Sequence, residues 1–416
     1  MTMDIATSSL REAHALKEQA ACLLSRLISC KSTQGNELKA QETAMEALKG
    51  LGFNPWISPI PPAIQEDPEY SFSDMGAKYD GKRGNVLCKI PGHGRGRSLI
   101  LQTHLDVVPA EQDWKDAFSA KREGDIVMGR GACDALGQVV TVFLALKVLQ
   151  RLDIQLSGDI LVQWVIEEEV GGNGALAALR EGHRADAVIV CEATEMQIHP
   201  ANRGAIWFRI TMTGKSVHMG RIREGVSAIE KGMDLVRLLR AYEEKLIVAS
   251  RGVPLFERYE QPVQLNIGTI HGGIYPSMVP SECIMEGGVG FLPNKSMSEI
   301  KEELEHAILS SDDPWIREHH KLEFPKLHND SYQTDPKHAA VLTLREAARD
   351  CGMDSEVFGW NVSCDARLYS RIGGMPTLVF GPGAVSHAHS TGEHVNLSEI
   401  CTAAGILATA TSRWCQ

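Results

Sequence analysis

Four short apolar runs limit most tightly how this chain can fold. They occupy 98–105, 159–166, 187–191 and 377–380, are rich in Val, Ile and Leu, and are partly separated by helical segments such as 139–152. Strands that alternate apolar and polar residues cover a core on one face only. Near-continuous apolar runs of four to eight residues belong instead to strands covered on both faces, so they predict an α/β domain with a largely parallel sheet.

Each run ends in side chains that can hold a metal. His104 and Asp106 follow the first, Glu167, Glu168 and Glu169 the second, Glu192 the third, and His389 lies in the loop beyond the fourth. Open α/β sheets place ligands in the crevice at the carboxyl ends of their strands. Asp134, in the turn Gly129-Arg130-Gly131-Ala132-Cys133-Asp134 before a helix, adds a further carboxylate. Two imidazoles with several carboxylates and no thiolate suit zinc, cobalt or manganese, and a central carboxylate can bridge two such ions. Taken singly these residues have plainer explanations: a surface histidine, a solvated acidic turn, a helix N-cap at Asp134. Together they favour a metal, because several carboxylates in one crevice repel unless cations sit among them.

Composition narrows the function classes. A chain of 416 residues, 43% hydrophobic, is long enough for two cores. A formal charge of −11 with no basic run opposes nucleic-acid binding. No segment reaches membrane-spanning length, and residues 1–20 carry charges that interrupt any signal-like run, so no membrane partner is expected. Ten dispersed cysteines without a Cys-x-x-Cys pair indicate neither a thiolate zinc site nor a disulfide framework, which fits a reducing cytoplasm. Helical spacing marks 10–30 and 36–49, whereas 58–84 is rich in Pro, Asp, Ser and Gly and reads as a surface meander or a loop over a site.

Between 202 and 329 the pattern changes. Strands are expected at 207–213, 263–271, 282–292 and 321–327, with helices at 226–246 and 298–309. That β-α-β-β-α-β order is the ferredoxin-like arrangement. The predicted organisation is a catalytic domain from 1–201 and 330–416 interrupted by an α+β domain at 202–329.

The motifs carry a family likeness. Thr103-His104-Leu105-Asp106-Val107-Val108-Pro109, the Gly129 to Asp134 turn, Glu167-Glu168-Glu169-Val170-Gly171-Gly172 and Ala388-His389-Ser390-x-x-Glu393 occur in the order found in one group of enzymes. The chain resembles the acetylornithine deacetylase, succinyl-diaminopimelate desuccinylase and carboxypeptidase G2 family of di-zinc metallohydrolases, peptidase family M20. The resemblance implies that Asp134 bridges two zinc ions (or cobalt or manganese). It implies that His104 and Glu192 complete one metal site, and Glu169 and His389 the other. It further implies that Asp106 hydrogen-bonds the far nitrogen of His104, and that Glu168 is the general base for a metal-bridging water attacking a linear amide. The inserted domain would act as a lid and pair two subunits, and His218 would reach the partner's site and stabilise the oxyanion.

Departures from the family pattern bear on substrate. Ser277 stands where relatives commonly carry Asn, and Gly290 where they carry an Arg near the end of the third lid strand, so a substrate carboxylate would need another partner such as Arg203 or Arg367. Leu136 stands where relatives often have Lys. The stretches 265–273 and 286–294 are similar to the formylaminopyrimidine deformylase branch. The expected activity is removal of an acetyl, formyl or succinyl group from a small N-acylated amine. A dipeptidase or aminoacylase on the same site, and a non-catalytic metal-binding homologue, are the alternatives.

Overall fold

The four apolar runs become four neighbouring parallel strands. In the computed structural model, which describes residues 5–72, 78–325 and 327–416, they form part of a six-stranded sheet. Its order is Trp56–Pro59, Gly84–Ile90, Ile160–Val165, Leu99–His104, Ala187–Val190, Thr377–Val379. The last four run parallel, and the first two are antiparallel additions at one edge. Every residue of Leu99–His104 and of Ala187–Val190 is buried, as strands sandwiched between helical layers require. Helix Leu136–Arg151 is buried around most of its circumference because Leu397–Trp414, itself largely buried, packs along it. Helix Ile5–Ala15 lies on Leu397–Trp414 in turn, and Gly405 permits the approach: a Cβ there would sit 2.9 Å from the Leu10 Cα.

The chain divides into two units. The first comprises 1–201, 333–358 and 364–416, and the second 202–332 with 359–363. Residues 359–363 thus group with the inserted unit, because Trp360 bridges Asn202 at the root of that unit's first strand. The second unit is a sheet of Leu265–Gly272, Glu282–Phe291, Gly204–Thr213 and His320–Glu323 in that order, all neighbours antiparallel. Alternation along Gly204–Thr213 turns Ile206, Phe208, Ile210 and Met212 into the core under the helices Ala228–Ala249 and Met297–Leu309. The second helix starts with a capping box, Ser296 and Glu299 bonding each other's backbone N–H groups.

Local differences from the sequence reading have identifiable causes. The helix expected over 10–30 is two, Ile5–Ala15 and Lys17–Ile28, since Leu16 leaves helical geometry (φ −97°, ψ 8°). The last long strand of the second unit ends early at Glu323, and His328–Asn329 makes a separate short pairing with Gly204–Thr213; position 326 lies outside the described residues. The stretch 58–84, left open between a surface meander and a loop over a site, is held to the first unit at its described residues. It carries a 3-10 turn at Pro62–Glu66, and Ser71 exchanges backbone hydrogen bonds with the Asn173 side chain at 2.9 and 3.0 Å; residues 73–77 are outside the described set. No helix among the described residues is long and apolar enough to cross a membrane, and all ten cysteines are free thiols.

Candidate metal centre

The strand ends bring the predicted donors together within the first unit. His104 closes the Leu99–His104 strand and is fully buried. Its Nδ1 lies 2.9 Å from the backbone carbonyl of Asp106, and its Nε2 lies 3.0 Å from Asp134 Oδ1. The carbonyl therefore fixes Nδ1 as the protonated nitrogen and leaves Nε2 with a lone pair for a metal. Asp106 thus orients His104 mainly through its main chain, its carboxylate being 3.6 Å away. That carboxylate instead accepts the backbone N–H groups of Glu168 and Glu169 at 3.3 and 3.1 Å, so it ties the acidic turn to the histidine strand.

Asp134 stands between the two imidazoles. Its other oxygen is 3.3 Å from His389 Nε2, which also meets Glu169 at 2.9 Å. The carboxylate is free to do this because Ala135, not Asp134, occupies the N-cap of helix Leu136–Arg151, and no side chain caps that helix. Glu192 follows the Ala187–Val190 strand and brings Oε1 to 3.7 Å from His104 Nε2; that oxygen is buried and has no hydrogen-bond donor. One donor atom each from His104, Asp134 and Glu169 lie within 4.8 Å of one another. A buried carboxylate oxygen with no donor, beside two imidazoles whose second nitrogens point inward, fits divalent cations better than it fits an ion-free core.

Electrostatics describe a site that needs positive charge. Burial, and then the neighbouring carboxylates, push Glu168 and Glu192 well above the ordinary range, and burial followed by Asp134 pushes Glu169 up to about 7. The Asp134 and Glu169 carboxylates hold the His389 imidazole up to about 10. Cations at the centre would supply the compensation that protons otherwise provide.

Two supporting residues stood in the quoted motifs without a role being read for them. Glu393, fully buried, accepts the backbone N–H groups of both Cys133 and Asp134 at 3.0 Å, and Arg130, also buried, donates to it at 2.8 Å. The signal was present: Arg130 sits four residues before Asp134, and Glu393 four after His389. Asp365 is a further supporting residue: it is buried, Gln102 Nε2 donates to it at 2.9 Å, and its charge helps to raise the Glu168 carboxyl. It packs on Gly172, whose φ is +86° and whose Cβ would lie 2.4 Å from Asp365 Oδ1, so glycine is required there on both counts.

Glu167 does not join its two neighbours. Its backbone takes a left-handed turn (φ 65°), and the fully buried side chain is claimed by the Arg83 guanidinium, the Tyr79 hydroxyl at 2.7 Å and Asn173 at 2.9 Å. His218 belongs to the second unit. It is exposed, and its Nδ1 accepts the Gly220 N–H at 3.1 Å to cap the turn Met219–Glu224.

Fold and site together define a metal-dependent hydrolase of amide bonds. The sequence pattern of the Peptidase family M20/M25/M40 matches residues 100–413, and the chain belongs to that family. It is 28% identical over 362 residues, 80% of this chain and 83% of the relative, to the N-formyl-4-amino-5-aminomethyl-2-methylpyrimidine deformylase of Bacillus subtilis. It is 27% identical over 390 residues, 91% of this chain and 97% of the relative, to the acetylornithine deacetylase of Myxococcus xanthus. Its fold is similar to that of a di-peptidase from Saccharomyces cerevisiae, with a TM-score of 0.74 and 14% identity over 98% of both chains.

Proposed function

We propose that the protein removes a small acyl group, formyl, acetyl or succinyl, from an N-acylated amine, with Glu168 as general base. The observation that carries this reading is that Asp134 meets both His104 and His389, with Glu169 on His389 and the donorless Glu192 oxygen beside His104. His104, Asp134 and Glu192 would hold one divalent ion, and Asp134, Glu169 and His389 the other; zinc suits the set, and cobalt or manganese would also be accepted. Such ions, when bound, acidify water and polarise the amide carbonyl.

The chain's own residues do the rest. Glu168 takes the proton of the attacking water at its carboxylate and gives it to the leaving nitrogen. Its position is set by Asp106, which holds the Glu168 backbone N–H, while Glu393 holds that of Asp134. The deformylase and the deacetylase among the relatives both take an acyl group from an amine, which supports the same class of substrate here. The test is NMR detection of acid released from a panel of N-formyl, N-acetyl and N-succinyl amines and dipeptides by the zinc-loaded protein. Turnover confined to one acyl class is expected; cleavage of dipeptides alone would replace this reading with a peptidase.

The reading extends to a cytoplasmic homodimer assembled through the second unit. Leu265–Gly272 is an edge strand, and Ile270, Ile274 and Tyr275 at and beyond its end are exposed, Ile274 by 91%. Unpaired edges with apolar side chains call for a covering partner. In such a dimer His218 would serve the partner's site. Heterodimers of His218→Ala with a His104→Ala subunit carry one site with both lesions and one with neither. Mixed at equal amounts, these two inactive variants are expected to recover about a quarter of wild-type activity. No recovery in heterodimers verified by mass spectrometry would remove the trans role.

A further inference from the structure

The second unit carries a cavity of about 450 Å³ on the face of its sheet that its helices leave open. Trp207 projects there from Gly204–Thr213 and is 48% exposed. Gly288 lies beside it: a Cβ there would sit 3.2 Å from the indole Cδ1. At the end of the same strand Gly290 leaves a second gap, and Arg203 fills it. Its Nη1 lies 3.3 Å, and its Cζ 3.5 Å, from where a Gly290 Cβ would be. A guanidinium is therefore present where the third strand offers none, delivered from the strand beside it.

Arg203 has no acid to answer its charge. One Nη donates to the Gln264 side-chain oxygen, Nε is buried without an acceptor, and no carboxylate pairs with it among the described residues. Burial accordingly pulls its pKa down, with only Tyr259 opposing. The acid in the cavity wall, Glu286, is already bound by Arg209 Nε and Nη2 at 2.9 and 2.7 Å, so it does not neutralise Arg203, whose single positive charge matches one carboxylate. By contrast, Arg367 is committed elsewhere: it is buried in the first unit with Nη2 on the Gly171 carbonyl at 2.9 Å.

We infer that this cavity is a binding site for a small monocarboxylate with a flat apolar portion, the carboxylate meeting the Arg203 guanidinium and the flat portion lying on Trp207. The planar fork of arginine matches a carboxylate's two oxygens, and the indole offers a broad apolar surface over a floor that glycine keeps level. Size agrees, since cavities that enclose small ligands start at about 300 Å³. The site is independent of the activity proposed above, which could fail without touching it.

The test is a fluorine NMR titration of the zinc-loaded full chain with 4-fluorobenzoate and, as the uncharged match, 4-fluorobenzamide. In Arg203→Met the benzoate should bind about tenfold or more weaker than in wild type, with the benzamide unchanged. Arg203→Lys, which keeps the charge but not the fork, should fall between. Trp207→Ala should weaken both probes alike. Benzoate affinity that is equal in wild type and in an Arg203→Met variant with wild-type melting temperature would overturn the site and leave the metals as the benzoate's anchor. Absence of benzoate binding to wild type would overturn it as well. Hydrolysis of the acylamine panel answers the separate question of activity, so the two readings can fail independently.

Discussion

Glu168→Gln should lower turnover about 10³-fold while both metal ions stay bound, because the amide keeps the shape of the carboxyl but cannot take a proton from water. The substitution removes no proposed metal ligand, and the backbone N–H of residue 168 keeps its bond to Asp106. Metal content by mass spectrometry and single-turnover rates decide the matter together. Unchanged metal with a near wild-type rate would strip Glu168 of its role. Lost metal would make it a ligand instead of a base.

Arg130→Met should destabilise the protein by roughly 3 kcal/mol, the scale for leaving one partner of a buried ion pair without the other. Arg130 and Glu393 are 1% and 0% exposed and 2.8 Å apart. The abandoned carboxylate would still accept two backbone N–H groups, which places the loss at the lower end of that scale. The sign with pH follows from Glu393. Burial already raises its carboxyl, and Arg130 is the strongest of the groups that oppose this, so the variant's folded pKa rises further. An acid whose folded pKa is raised penalises folding fully above that pKa and not at all below its unfolded value of about 4.3. The gap between variant and wild type should therefore narrow as pH falls toward the unfolded value. Chemical denaturation of the zinc-loaded proteins at pH 7 and pH 5 reads this directly, and a gap that widens on acidification would mean that the ion pair is not what holds the Cys133–Asp134 backbone.

What the sequence made legible were features whose cause is local. The buried strands announced themselves by continuous apolar character, and His104 and Glu192 sat where their strands had to end, whereas Glu169 was separated from its two neighbours only by the family likeness. The β-α-β-β-α-β order of the second unit was equally plain from its succession of strand and helix segments. Pairings across long stretches of chain were hidden. Arg130 and Glu393 stand 263 positions apart, and nothing in either motif says that one will neutralise the other. Glu167 misled for a different reason. A single left-handed residue reverses the direction of its side chain, and three consecutive glutamates cannot reveal which of them turns away. The guanidinium of Arg203 was legible as a residue but not as an occupant of the Gly290 gap, because that requires knowing which strands are neighbours.

The interruption of the first unit also orders events during synthesis. His104, Asp134, Glu169 and Glu192 leave the ribosome early, and the whole second unit follows before Thr377–Val379 can complete the parallel sheet and His389 can arrive. A nascent chain halted near residue 360 would already hold the strands and helices of 202–332, yet only an acidic, half-built cradle upstream. Repulsion among those carboxylates would persist until the final segment folds back, so an ion that needs His389, as the proposed function requires, would be captured among the last steps of maturation.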